Sequence, residues 1–393
     1  MNRNLSTFLN LSRWLAAWLV LVGHVRHIVL VDLASVHQAT LADKGLYFFT
    51  GLGHEAVVVF FVISGFLVGG TTLERWQQQG PDLKRYAIAR FSRIYTVLVP
   101  ALLVGLLMDV AGLRWFNASE LYTNAVQYHT ISLNSDISAG LDARTLLGNL
   151  CMLQGISTGI FGSNNPLWSL AYEWWYYGIF ALLAAAWTGT GLGRWRLVSA
   201  MAGLLLAAWL PGHVTLWGGI WLLGLLTHRW IASGAWRPHP VVGLAVLALA
   251  IVWFRLNHNV ENGDHPESLF TGFARDLVLG LAFSTSLASI TRLQGTLGFS
   301  HFHARMADFS YTTYLCHFPA MLLLIAIAYQ WAGLPFQLQP DLRGMAYLGG
   351  LSALLLAYCQ AFAWLTERHT AAVQRWLQST LAGPPFTPES QTP

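Results

Sequence analysis

Charge is what this chain has least of. Lysine, arginine, aspartate and glutamate make up 10% of its 393 residues, where soluble globular chains carry about 25%. That shortage excludes a soluble multidomain protein. Cysteine is scarce as well: Cys151, Cys316 and Cys359 sit in apolar stretches, at none of the spacings that mark zinc or disulfide frameworks. Sustained alternation of apolar and polar positions is missing, which excludes a transmembrane β-barrel. No internal repeat, linker or second folded domain is discernible. The net charge of +4 is accounted for by Lys and Arg held on the cytosolic side of a membrane, so no nucleic-acid partner is inferred.

What the chain has is apolar length. Hydrophobic residues make up 55% and the mean hydropathy is +0.48, which implies an all-α polytopic membrane protein. A window of about 20 apolar residues places spans near 11–31, 46–70, 94–113, 166–187, 197–210, 215–231, 241–256, 271–290, 309–331 and 344–365. These predict about ten transmembrane helices forming one bundle over residues 1–370, followed by a partly disordered tail, 371–393. An apolar piece at 145–157 is too short to cross and reads as re-entrant or interfacial. Arg13 interrupts the first span and no A-x-A site follows before Arg26 and His27, so that helix is expected to be retained rather than cleaved as a signal peptide.

Basic residues set the orientation. Arg75, Lys84, Arg85, Arg90, Arg93, Arg194, Arg196, Arg229, Arg237, Arg292, Arg305, Arg368 and Arg375 all fall on one side of this span pattern, whereas the loop at 257–268 on the other side is acidic. Positive charge stays inside, so both termini are expected in the cytosol.

Within the spans a few polar residues stand out. Arg13 and His24 are separated by about three helical turns, some 16 Å, and share a face to within roughly 20°. A charged or ionisable group in a membrane helix costs a few kcal/mol, so each needs a partner, a wet cavity or a task. Arg90 and Arg93 are i, i+3 neighbours able to clamp one anion, or else ordinary inside charge facing lipid headgroups. Ser64-Gly65 permits close helix approach or a bend. Glu173 lies about two turns into its span, some 10 Å below the outer interface, at the depth His24 reaches from the other side, so the two are expected to meet. Trp168 belongs to an aromatic belt that also suits sugar stacking. Tyr311, Tyr314 and His317 share the ninth span, and Glu367 at the end of the tenth reads as a solvated end charge. His24 and His27 lack a third ligand nearby, so no metal is expected.

The order of these pieces resembles the acyltransferase 3 family of integral membrane O-acyltransferases. Its hallmark is an arginine and a histidine separated by ten residues in the first helix, matched here by Arg13 and His24. The likeness continues through FFVISGFL at 60–67, RxxR at 90–93, PLWSLxxE at 166–173, SYxxYLxHxP at 310–319 and TER at 366–368. Val58 departs from an often acidic position and His369 from a usual proline.

The resemblance implies transfer of an acyl group, commonly acetyl, from cytosolic acetyl-CoA to a hydroxyl of an extracytoplasmic glycan or lipid-linked sugar of the cell envelope. The setting it implies is a bacterial inner membrane, with membrane lipids as neighbours and homo-oligomerisation left open. On this expectation Arg13, Arg90, Arg93 and Ser64 hold the donor, Trp168 and Tyr314 meet the acceptor, and His24 acts as general base or acyl carrier, oriented by Glu173. His317 is expected to help place the thioester. The competing reading is a transporter or flippase for a glycan or small anion, since intramembrane His, Glu and Arg also line transport paths.

Overall fold

The computed structural model describes residues 2–124, 136–189, 193–257 and 269–381. Apart from Asn257, the acidic loop at 257–268 lies outside the described residues, as does the last part of the tail. The described residues form helices in the order α1 (Arg3–Val29), α2 (Leu41–Thr50), α3 (Gly53–Ser64), α4 (Thr71–Gln79), α5 (Leu83–Trp115), α6 (Ala143–Leu150), α7 (Leu167–Thr188), α8 (Gly193–Trp209), α9 (Gly212–Ala232), α10 (Pro240–Asn257), α11 (Leu269–Ile290), α12 (Ser300–Ala307), α13 (Ser310–Ala332), α14 (Leu342–Leu365) and α15 (Thr370–Leu381).

Local chemistry starts many of these helices where it should. Asn2, Asp82, Asp142 and Asp341 accept from backbone amides of the first turns of α1, α5, α6 and α14, and Thr40 with Asp43 closes a reciprocal box on α2. Each such bond satisfies an amide that the helix itself leaves without a partner.

Each of the ten expected spans falls on a helix. Among the described residues, seven helical stretches have both the length and the apolar character to cross a bilayer: Arg3–Val29, Leu41–Gln79, Leu83–Trp115, Pro240–Asn257, Leu269–Ile290, Ser310–Ala332 and Leu342–Leu381. The other three spans coincide with α7, α8 and α9. α8 is only 17 residues long, and the Trp, Tyr and Gly content of α7 and α9 dilutes their hydropathy. Leu204 and Leu205 on α8 and Val241 and Leu249 on α10 are exposed, the outward apolar surface of a helix facing lipid. These features suggest an integral membrane protein.

α1 runs through the middle of the bundle, against α3, α11, α12, α13 and α14. The Leu41–Gln79 stretch changes winding at Gly65–Gly70, which is π-helical. The cause is a near-touching crossing: a Cβ on Gly65 would stand 1.8 Å from the Trp221 carbonyl oxygen, and one on Gly224 would stand 1.9 Å from that of Val62. Only glycine on both sides lets these backbones meet, and the wide turn begins where they do. The Ser64-Gly65 pair therefore provides both close approach and a change of course.

The stretch at 145–157 does not cross. α6 covers its first part, and the chain then folds back into the bundle with Asn149, Gln154, Ser163 and Asn164 all buried. Two contacts hold it there. Asp109 on α5 accepts from the Ser163 amide and hydroxyl at 2.8 and 2.7 Å. Pro319 within α13 has no N–H to give the Leu315 carbonyl, and the Asn164 side-chain amide donates to that oxygen at 2.7 Å. Residues 371–381 of the expected tail are helical and lie in α15 against α5.

Candidate active site

His24 on α1 and His317 on α13 face each other, His24 Nδ1 to His317 Nε2 at 2.8 Å, with ring planes 7° apart. His317 Nδ1 lies 2.7 Å from the Thr313 carbonyl oxygen. A carbonyl only accepts, so His317 Nδ1 carries its proton. In a neutral ring His317 Nε2 is then an acceptor, which makes His24 Nδ1 the donor and leaves His24 Nε2 with a free lone pair. One backbone oxygen thus sets the tautomers of two buried rings. The His24 ring also meets the Phe318 ring edge-on at 5.1 Å, and the residue lines a cavity of 630 Å³ at the end of the bundle away from the amino terminus.

A second cavity, of 410 Å³, opens near the other end, among Arg13, Ser64, Arg90, Arg93, Glu173, Tyr177, Tyr311, Tyr314 and Glu367. Its three arginines are not equivalent. Arg93 Nη1 pairs with Glu367 at 2.6 Å and lies over the Tyr311 ring. Arg90 stands 5.8 Å from the Tyr86 and Tyr177 rings, with its Nε buried and without a partner. Among the described residues neither Arg13 nor Arg90 forms an ion pair. Two guanidiniums therefore remain to meet an anion.

Asp308 also lines this cavity, and its other two carboxylates, Glu173 and Glu367, are engaged. Glu173 accepts from the Tyr177 hydroxyl at 2.5 Å, Tyr177 and Ser64 hydroxyls are 3.1 Å apart, and Ser64 accepts from Trp221 Nε1 at 3.0 Å. Donation runs one way along this chain, from indole to carboxylate. Glu367 accepts from the Thr312 amide and hydroxyl at 3.2 and 2.7 Å. It is not the solvated end charge expected, but a 7% exposed group that caps α13 from another helix.

The expected meeting of His24 with Glu173 does not occur. Glu173 faces the arginine cavity, and His317 takes the place beside His24. The reason is the folded-in loop: Asn164 is anchored at Leu315, so α7 starts at that depth rather than at the end of the bundle. Six residues further, about 9 Å, Glu173 reaches the arginines. Trp168 lies with His24 in the larger cavity, as do Asn165 and Pro166. Tyr314 lines both cavities, and its hydroxyl is 2.7 Å from that of Ser169. His54 also faces the larger cavity, with its Nε2 2.8 Å from Asp276 on α11. Sequence reading missed this pair, whose members are 222 positions apart; the one signal was Asp276 inside an apolar span.

Comparison with known proteins finds a family whose acyltransferase domain matches residues 6–364. The chain belongs to the acyltransferase 3 family. A Haemophilus influenzae protein described as uncharacterized is 33% identical over 132 residues, covering 32% of this chain and 46% of that relative. The chain thus spans about half the length of the curated relative it matches. No solved structure matches.

Proposed function

We propose that the protein is a membrane O-acyltransferase. In this reading it moves an acyl group, acetyl in the simplest case, from cytosolic acyl-CoA to a hydroxyl of an extracytoplasmic glycan or lipid-linked saccharide. The observation that carries this reading is Tyr314, shared by a cavity with two unpaired arginines and a cavity with a lone-pair imidazole.

The arginine cavity suits the phosphates of coenzyme A: Arg13 and Arg90 lack carboxylate partners, and the orphaned Arg90 Nε needs an acceptor. Acyl-CoA supplies an activated carbonyl on a good leaving group. Arg13 and Arg90 bind and orient it, while Glu367 keeps Arg93 fixed. On the far side His24 Nε2 takes the proton of the acceptor hydroxyl as its oxygen attacks that carbonyl, and the thiolate leaves toward the arginine side. His317, its Nδ1–H held by Thr313, keeps His24 in the receptive tautomer. The basic end is the cytosolic one in this reading, in the inner membrane of a bacterium.

The experiment is acyl transfer by purified chain reconstituted in liposomes, using radiolabelled acetyl-CoA and a panel of envelope glycans. Label on a glycan hydroxyl supports the reading. Transport of the glycan without label would replace it with the transporter class.

A further inference from the structure

The cavity around His24 is lined by two guanidiniums, Arg26 and Arg255, that the proton transfer does not use. Arg26 is 6% exposed, its guanidinium lies 5.0 Å over the Tyr47 ring, and its buried Nε has no partner. Arg255 reaches in from α10: one terminal nitrogen donates to the Gly51 carbonyl at 3.2 Å, and its buried Nε is likewise unpartnered. Both line the cavity, and neither forms an ion pair among the described residues.

Two carboxylates stand near these guanidiniums without bonding to them. Asp32 is the acidic residue on the lining, and Glu55 is buried next to His54 with both oxygens unpartnered. Both carboxylates lie within electrostatic reach of an arginine, but neither bonds to one. His54 is engaged by Asp276, His24 by His317, and His27 completes the set. Two guanidiniums that repel each other, Arg26 buried and Arg255 half-buried, thus share the cavity lining. Burying such groups without bonded counter-ions is costly unless a ligand supplies the anion.

We propose that the acceptor is an anionic saccharide whose carboxylate or phosphate seats between Arg26 and Arg255, with a sugar face against Trp168. The forked guanidinium donors match the planar oxygens of a carboxylate or the tetrahedral oxygens of a phosphate. Trp168 on the same lining supplies an apolar ring for the sugar. This rests on the acyl-transfer reading, because only then is the cavity an acceptor site. It narrows that reading to acidic sugars or sugars on a phosphate linker.

The test measures binding to purified full-length protein in detergent by titration calorimetry. Three probes are compared: a hexuronic-acid disaccharide, its carboxyl-reduced counterpart, and the reduced disaccharide carrying a 1-phosphate. At least one anionic probe is expected to bind about tenfold or more tightly than the neutral one. Preference for the uronate assigns the anion to the sugar; preference for the phosphate assigns it to a linker. Arg26→Gln and Arg255→Gln should each erase the preference, and Arg26→Lys should keep part of it, with acetyl-CoA binding unchanged in all three. Equal affinities in the wild type, or no binding of any probe, would overturn the proposal even if a glutamine variant fails to fold. Acyl transfer to each probe is measured in parallel. Selective anion binding without transfer to any probe overturns the acyl-transfer reading, not the anion site.

Discussion

His24 Nδ1 stands 2.8 Å from His317 Nε2, and the Thr313 carbonyl behind His317 dictates which of these nitrogens carries a proton. Two helices far apart in sequence are thereby joined by a hydrogen-bonded pair of imidazoles, one of which, His24, lines a cavity. His24→Ala should lower acyl transfer by at least about 100-fold, the usual range for loss of a general base. His317→Ala should lower it less, since a water can bond Nδ1, but should still cost about tenfold. Both variants should bind acetyl-CoA normally. Transfer assays with purified variants check this, and normal transfer by a folded His24→Ala protein would remove the base.

The cavity arginines should separate by function. Arg13→Gln and Arg90→Gln are expected to weaken acetyl-CoA binding about tenfold each while leaving the melting temperature within a few degrees. Arg93→Gln should instead destabilise the fold, on the order of 2 kcal/mol, because it leaves Glu367 buried without its partner. Calorimetric binding and thermal unfolding in one detergent distinguish the two behaviours.

Tyr314 divides the cavities, so its removal should join them. Tyr314→Ala is expected to raise hydrolysis of acetyl-CoA relative to transfer, by admitting water to the thioester. Tyr314→Phe keeps the ring and loses only the bond to Ser169, and should cost about threefold or less in transfer. Thiol release compared with glycan labelling measures the ratio.

The folded-in loop rests on few contacts. Asn164→Ala should destabilise by about 1–3 kcal/mol, the cost of a buried carbonyl left unbonded at Leu315. Gly162→Ala should also destabilise, since φ is +60° there and a Cβ would stand 2.2 Å from Asp109 Oδ2. Thermal unfolding followed by tryptophan fluorescence checks both.

The all-helical membrane character and the places of the long apolar helices could be read from apolar length, because one long span needs no partner to be recognised. The importance of Arg13 and His24 could be read too, since a buried polar group stands out against its own helix. What they touch could not. The depth of Glu173 depends on Asn164 capping a carbonyl freed by Pro319, and on Ser163 binding Asp109, contacts spanning 151 and 54 positions. Glu367 looked solvated because its partners, Arg93 and Thr312, lie on other helices. The His54–Asp276 pair has no local pattern at all.

The most direct test of acyl transfer through this protein is its sidedness. Oriented proteoliposomes are given labelled acetyl-CoA on one side only, with acceptor glycan on the other. Labelled glycan is expected when acetyl-CoA is on the side of Arg13 and Arg90 and none in the reverse arrangement, with the signal lost in His24→Ala. Equal labelling in both arrangements, or labelling only when donor and acceptor share a side, would contradict it.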